Sequence, residues 1–324
     1  MNWRHRHELI NGIRVHFVEQ GEGLPVVLCH GFPHLWFSWH RQITVLAEAG
    51  YRVIAPDMRG MGQTEAPPAV EAYDIDHITG DLLGLLDCIG ERRAVFVGLD
   101  FGAFAIYDLA LRHPDRVIAV IGLENPAAPH NPDEPPLSEY RRMGEQHFLH
   151  IEYFREPPRA DLELAAQPRL FLHKVFHTLS GACNFFDMFR YPPGTSYIDA
   201  MEEPPPLPWP WLSELELEFF VSEYSRTGFT GGLNWYRSFD LKWAQRRPFE
   251  GVTSSVPAYF LGSEHDVDLE GFHGEDPIGQ MRQIFPELRQ VRMIPGAGHM
   301  VQLEASGEVN AALLDFLADI SRLG

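Results

Sequence analysis

Residues 97–104 read VGLDFGAF, with Gly98 and Gly102 flanking a central residue. This is the G-x-Nuc-x-G spacing of a nucleophile elbow, a strained strand-to-helix turn that lifts one side chain above a parallel sheet. A serine is usual at the centre, and here the residue is Asp100. A helix N-cap would also place an aspartate at such a point, but the flanking glycines serve an elbow and not a cap. The following helix aims its N-terminus at the site and favours negative charge there. The nucleophile selects the reaction. Serine attacking an acyl carbon leaves an ester that water cleaves, whereas serine attacking a saturated carbon leaves an ether, a dead end. A carboxylate attacking a saturated carbon leaves an ester, which water opens at the enzyme's own carboxyl carbon. Asp100 therefore points to an electrophilic sp³ carbon in an epoxide, an alkyl halide or a similar group.

Around the elbow the chain alternates short β-rich runs with amphipathic stretches. IRVHFVEQ (13–20), LPVVLCH (24–30), YRVIAPDMRG (51–60), RRAVFVGLD (92–100) and VIAVIGLENP (117–126) read as strands, two of them continuous apolar runs of the buried parallel kind. HRQITVLAEAG (40–50), ending on a C-cap glycine, IDHITGDLLGLLDCIG (75–90) and GAFAIYDLALRHPDRV (102–117) read as helices between them. Strand-helix-strand alternation implies a mostly parallel sheet covered by helices on both faces, an α/β fold. The rhythm breaks at about residue 127 with the proline-rich NPAAPHNPDEPPLSEY, and no strand pattern appears before about Trp243. In this stretch EEPPPLPWPWL (202–212) reads as a rigid surface loop in preference to a polyproline ligand. The alternation resumes with SVPAYFLGSEHD (255–266) as a strand and PIGQMRQIFPELRQ (277–290) as a helix. VRMIPGAGHM (291–300) and VNAALLDFLADI (309–320) supply a last strand with its loop and a closing helix. The expected division is a core in two parts, 1–127 and 246–324, with a helical cap inserted at 128–245. No internal repeat is found.

The 324 residues suffice for one large domain with an insertion, and 45% hydrophobic and 22% charged residues describe a globular chain. A formal net charge of −19 argues against nucleic acid and against anionic membrane surfaces as partners. Cys29, Cys88 and Cys183 are odd in number and share no metal-ligand spacing, so they read as free thiols, with no metal and no cofactor expected. The N-terminus MNWRHRHELINGIRV lacks the apolar core of a signal peptide, and no uncharged run approaches the length of about 18 residues of a membrane span. The expected setting is soluble, reducing and cytoplasmic, with a homodimer left open.

The second half of the reaction needs a base and an oxyanion hole. His299 in PGAGHM lies in a glycine-rich loop after the last strand, and nucleophile early with histidine late is the chain order of the α/β-hydrolase fold. HGFP (30–33) follows a strand where that fold carries its oxyanion loop, so the backbone N–H groups of Phe32 and Phe101 are the candidate donors, each worth about 10²–10³ in rate. Two acids compete to orient His299. Asp266 ends the strand before the histidine strand, the commoner position; Glu124 in GLENP ends the strand after the nucleophile.

HGFPHLWFSWHRQI, YRVIAPDMRGMGQTEAPP, VGLDFGAF, FLHIEYFREP, TGFTGGLNWYRSF and GAGH together resemble the soluble epoxide hydrolases of the α/β-hydrolase superfamily, bacterial type, along nearly the whole chain. The resemblance implies an epoxide and water as partners, conversion to a diol through an aspartyl ester, and two lid tyrosines that donate to the epoxide oxygen. GGLNWYRSF matches the second tyrosine, Tyr236; the first falls on His150, a departure from the pattern. A His/Tyr pair is known in the virulence-linked branch, which also uses a glutamate at the Glu124 position, so the departure adds weight to Glu124. A histidine donor would add a pH term near its ordinary value of about 6.5. Pro33, Trp36, FFDMFRYPPG and the cap aromatics suggest an apolar pocket for a lipophilic or aromatic epoxide.

Haloalkane dehalogenases use the same nucleophile and base, but they hold the leaving halide with N–H donors at the places where this chain has Phe32 and Phe101. Fluoroacetate dehalogenases place arginines after the nucleophile, and DFGAF has none. A non-catalytic receptor on the same fold would show damage in the constellation, and only His150 hints at it.

Overall fold

Strands whose residues are buried on both faces make the centre of an eight-stranded sheet. In chain order the strands are β1 (Arg4–Ile10), β2 (Ile13–Gln20), β3 (Leu24–Cys29), β4 (Tyr51–Pro56), β5 (Ala94–Leu99), β6 (Val117–Leu123), β7 (Ala258–Ser263) and β8 (Leu288–Ile294). Their order across the sheet is β1-β2-β4-β3-β5-β6-β7-β8. Pairings from β4 through β8 are parallel, and only the β1–β2 and β2–β4 pairings are antiparallel. These coordinates are a computed structural model and describe residues 3–323. Edge strand β1, RHRHELI, is largely exposed and carries little of the apolar alternation that marks a strand in a sequence. The pattern of residues 277–290 predicts one helix; the last of them instead open β8 at Leu288, where pairing with Ala258 of β7 overrides local pattern.

Strand alternation divides the apolar residues between two cores. Val27, Cys29, Ile54, Phe96, Val120 and Phe260 face one core, and Val26, Leu28, Val53, Val95, Val97 and Ile121 face the other. The second core is closed by α1 (His40–Glu48), through Ile43 and Leu46, and by the last helix of the chain, through Leu313, Phe316 and Leu317. The first is covered by α2 (Ile75–Cys88) and α3 (Phe101–Arg112). Cys29 is buried in it, and all three cysteines are free thiols.

Between β6 and β7 the described residues contain helices and no sheet strand: α4 (Pro136–Gly144), α5 (His150–Arg155), α6 (Arg159–Ala166), α7 (Pro168–Thr178), α8 (Tyr197–Ala200), α9 (Glu214–Thr227), α10 (Thr230–Arg237) and α11 (Phe239–Arg246). The proline-rich 202–212 stretch is a helix-free connection ahead of α9, whose start is a full Ser213/Glu216 capping box. The insertion is tied to the sheet side by Arg41, which donates to Trp211 O and Glu216, and by Trp235 Nε1, which donates to Arg59 O at 2.9 Å. After β7 come α12 (Pro277–Ile284), α13 (Val301–Glu304) and α14 (Ser306–Ile320), the helix that closes the second core. Among the described residues no helix is long and apolar enough to cross a membrane.

The β5–α3 turn depends on close backbone approach. A Cβ on Gly102 would run into the carbonyl of Cys29 on β3, which is backbone and cannot move aside cheaply. Gly102→Ala is expected to cost about 2–3 kcal/mol, whereas Gly307→Ala at the start of α14, with open space around it, should change stability by less than about 0.5 kcal/mol. Thermal or urea unfolding of the two variants beside the parent chain measures the contrast.

Candidate active site

Asp100 sits between β5 and α3 with φ 54° and ψ −125°, a backbone conformation few non-glycine residues adopt. It occupies the N-cap position, yet its side chain makes no capping hydrogen bond. The carboxylate turns instead toward the loop after β3. Phe32 N–H donates to Asp100 Oδ1 at 2.7 Å, and the Phe101 N–H also faces the carboxyl and favours its charge. A Cβ on Gly31 would collide with Asp100 Oδ1, so the loop reaches this close only with glycine there. Burial pushes the Asp100 carboxyl up to about 6, while the positive charge of His299 pulls it back.

His299 lies in the loop after β8, its backbone N–H donating to Leu179 O of the insertion at 2.8 Å. Its Nδ1 lies 2.6 Å from Asp266 Oδ2, and its Nε2 lies 3.8 Å from Asp100 Oδ2. The other Asp266 oxygen accepts from the N–H groups of Asp268 and Leu269, at 3.0 and 2.9 Å, so the acid is locked in place. Burial works against a charged imidazole, but the charge and hydrogen bond of Asp266, with Asp268 and Asp100 behind them, raise His299 to about 10.

Glu124 does not reach His299 by hydrogen bond. It is fully buried at φ 64°, with Ser263 N–H 3.0 Å from Oε2 and no partner for Oε1. Ser263 Oγ stands 3.0 Å from Glu124 Oε2 and 2.9 Å from Gly298 O. One hydroxyl proton serves only one of these, and a protonated Glu124 donating to Oγ completes both. Burial and the facing charge of Asp266 hold the glutamate well above the usual carboxylate range, in keeping with that form. Of the two candidate acids, the geometry brings Asp266 onto the histidine and leaves Glu124 behind it.

Across a cavity of about 340 Å³ stand Tyr236 on α10 and His150 at the start of α5, their rings 5.9 Å apart. Asp100, Pro33 and His299 line the same cavity, with Phe154, Phe185 and Phe272 as apolar wall. Among the described residues neither the Tyr236 hydroxyl nor the His150 ring has a hydrogen-bond partner, and His150 Nδ1 is buried. Burial lowers His150 to about 4, so it is a neutral imidazole at pH 7. That displaces the titration expected near 6.5, because the apolar shell disfavours the cation.

Trp36 is a correction. It does not line the cavity: its ring is buried against Trp3, His5, Phe37 and Phe219, and its N–H donates from the backbone to Asp57. The sequence pattern HGFPHLWF could not tell a tryptophan facing the pocket from one facing the core. Two residues near the site lie outside the sequence motifs. Asp268 lies two residues beyond Asp266 and 3.7 Å from His299 Nδ1; the DVD repeat of 266–268 was its only signal. Lys242 on α11 lies over the Trp235 ring at 4.7 Å, and burial brings it down to about 7. Asp100, Asp268 and His299 each place a ligand atom within 4.8 Å of the others; a cation there would have to displace the proton that the surrounding carboxylates hold on His299.

Residues 25–159 match the α/β hydrolase fold family. Epoxide hydrolase A of Mycobacterium tuberculosis is 44% identical over 96% of this chain and 96% of its own. The crystal structure of epoxide hydrolase A from Mycobacterium thermoresistibile superposes with a TM-score of 0.90 at 43% identity, covering 98% of both chains. Potato (Solanum tuberosum) epoxide hydrolase I gives a TM-score of 0.90 at 31% identity, over 98% of this chain and all of its own. With a carboxylate at the elbow and relatives this similar over nearly its full length, the chain belongs to the epoxide hydrolases of the α/β-hydrolase fold.

Proposed function

We propose that the chain converts a lipophilic epoxide and water to a vicinal diol, with Asp100 as nucleophile, His299 as base and Asp266 as the acid that orients it. The observation that carries this is a buried carboxylate held by two backbone N–H groups and facing two unpartnered proton donors across an apolar cavity. Asp100 attacks one epoxide carbon as the C–O bond on that carbon breaks, forming an alkyl ester. The departing oxygen gathers negative charge under hydrogen bonds from Tyr236 and His150 and takes a proton from the Tyr236 hydroxyl; the tyrosinate is reprotonated as the His299 imidazolium sheds its proton, which frees His299 as the base. Water then attacks the ester carbonyl carbon of Asp100 while His299 Nε2 removes its proton. The oxyanion forms where Phe32 N–H and Phe101 N–H already hold Asp100 in the resting state. Collapse breaks the ester as His299 returns that proton to the departing diol oxygen, and the Asp100 carboxyl then passes its own proton to His299, which restores the resting ion pair. Segment 128–245 is the cap that carries the lid donors, and 1–127 with 246–324 is the core that carries the charge relay.

A leaving halide is poorly served here. The Phe32 and Phe101 side chains donate nothing, and the indole N–H groups of the two cavity tryptophans are engaged, Trp235 with Arg59 O and Trp243 with Asn131 O.

With His299→Gln, alkylation should proceed and hydrolysis should fall by about 10²–10⁴, so an Asp100 adduct should accumulate under styrene oxide and appear in the intact mass. Normal turnover without adduct removes His299 from the mechanism.

Tyr236→Phe and His150→Phe keep ring packing and delete only a donor. Each should slow single-turnover alkylation by about 10²-fold and leave ester hydrolysis intact; His150→Tyr should retain activity. Wild-type alkylation rates in both phenylalanine variants would reduce the cap to a lid.

Attack requires ionised Asp100, whose carboxyl stands at about 6. The alkylation rate should therefore be flat above that pH and fall as pH drops through it. Since His150 is already neutral there, titrating only near 4, the wild type and His150→Tyr should share this limb in rapid-quench profiles.

A further inference from the structure

Orienting a catalytic histidine takes one carboxylate, and this site has a second that the steps above do not use. Asp268 Oδ2 is 3.7 Å from His299 Nδ1, close enough for strong attraction and too far for a hydrogen bond. It is anchored from the far side by Asn125 Nδ2, which donates to the same oxygen at 2.8 Å. Its backbone N–H donates to Asp266 Oδ1, so the two acids are held as a rigid pair around one imidazole. The side chain is about one-fifth exposed, to the catalytic cavity that it lines.

We propose that Asp268 is a positioning residue of the base: anchored by Asn125, its carboxylate holds positive charge on His299 while Asp100 attacks, and sets the pH at which His299 is freed for the hydrolysis step. The proposal rests on the reading of Asp100 as nucleophile and His299 as base. In the resting site His299 faces three carboxylates, Asp100, Asp266 and Asp268. Glu124 lies behind Asp266, and Glu304 receives the Gly298 N–H beside the histidine. His34 and His150, the neighbouring imidazoles, are both held neutral by burial. Alkylation turns Asp100 into a neutral ester, so one of the three charges disappears in the chemical step itself. The imidazolium loses part of its stabilisation at the moment when a neutral base is needed. What remains is set by Asp266, which is hydrogen-bonded, and by Asp268, which is not. Deleting the charge of Asp268 therefore leaves orientation intact and lowers the proton affinity of His299 in both states.

The test is Asp268→Asn, nearly equal in shape, beside Asp268→Glu, which restores the charge. Two measurements are made on each: the imidazole titration of His299 in the resting protein by NMR, assigned with His299→Gln, and the pH profile of adduct hydrolysis after single-turnover alkylation with styrene oxide. Asp268→Asn should lower the His299 titration and move the acid limb of hydrolysis down by about 1–2 pH units, and Asp268→Glu should bring both back toward wild type. A His299 titration and hydrolysis limb in Asp268→Asn that coincide with wild type would overturn the proposal, as would an Asp268→Glu variant that behaves like Asp268→Asn. The NMR titration needs no turnover, so it judges the role of Asp268 even if no Asp100 adduct forms, the outcome that would instead sink the nucleophile assignment.

Discussion

The contact on which the rest of the site depends is the 2.7 Å hydrogen bond from Phe32 N–H to Asp100 Oδ1. It joins the loop after β3 to the turn after β5, two strands adjacent in the sheet. It exists because Asp100 tolerates φ 54°, a conformation that costs about 1–3 kcal/mol and is held by the surrounding packing. The Cys29 carbonyl lies so close to Gly102 that no side chain fits between, and Gly31 leaves room for the carboxylate itself. Two sequence-distant segments thus close on one carboxylate before any substrate arrives, which is what preorganisation of an oxyanion site requires.

Burial makes this arrangement chemically useful and electrostatically demanding. The Asp100 carboxyl is raised to about 6 and His299 to about 10, so near neutral pH the two face each other as an ion pair. As the proposed nucleophile, Asp100 in that state is charged yet poorly solvated, and His299, the proposed base, carries a proton it must shed before it can accept one from water. In the proposed mechanism alkylation resolves the conflict by erasing the charge on Asp100. The acids around His299 then decide how readily it becomes a base, which is why their identity matters beyond the fixing of ring orientation. Burial and the facing Asp266 favour the neutral form of Glu124, which weakens its part in that field.

The lid answers a different need. In the proposed mechanism charge appears on the epoxide oxygen away from the oxyanion loop, so the proposed donors are those on α5 and α10 across the cavity, left unpartnered at the cost of buried polar atoms such as His150 Nδ1. On the proposed reading a histidine can take a tyrosine's place, because its aromatic surroundings, Phe154, Phe185 and Phe272, suppress the cation and preserve a neutral N–H donor.

Much of this was legible without coordinates. Chemistry alone led from Asp100 to a saturated electrophile. The continuous apolar runs at 94–99 and 117–123 announced buried parallel strands, and the loss of strand pattern after 127 announced an inserted helical segment, because burial on both faces and helical periodicity are local properties of a chain. What the chain order could not separate, contact in space did. Asp266 and Glu124 end neighbouring positions in the sheet, and only the three-dimensional course of their loops gives one of them a 2.6 Å approach to His299. Trp36 turned to the core because the 3₁₀ turn after the oxyanion loop points it there. Strand β8 claimed residues that read as helix because β7 offered a partner. Asp268 was invisible because its significance is a distance to a residue 31 positions away, and the proton affinity of a buried group is decided by everything that surrounds it and not by its neighbours in sequence.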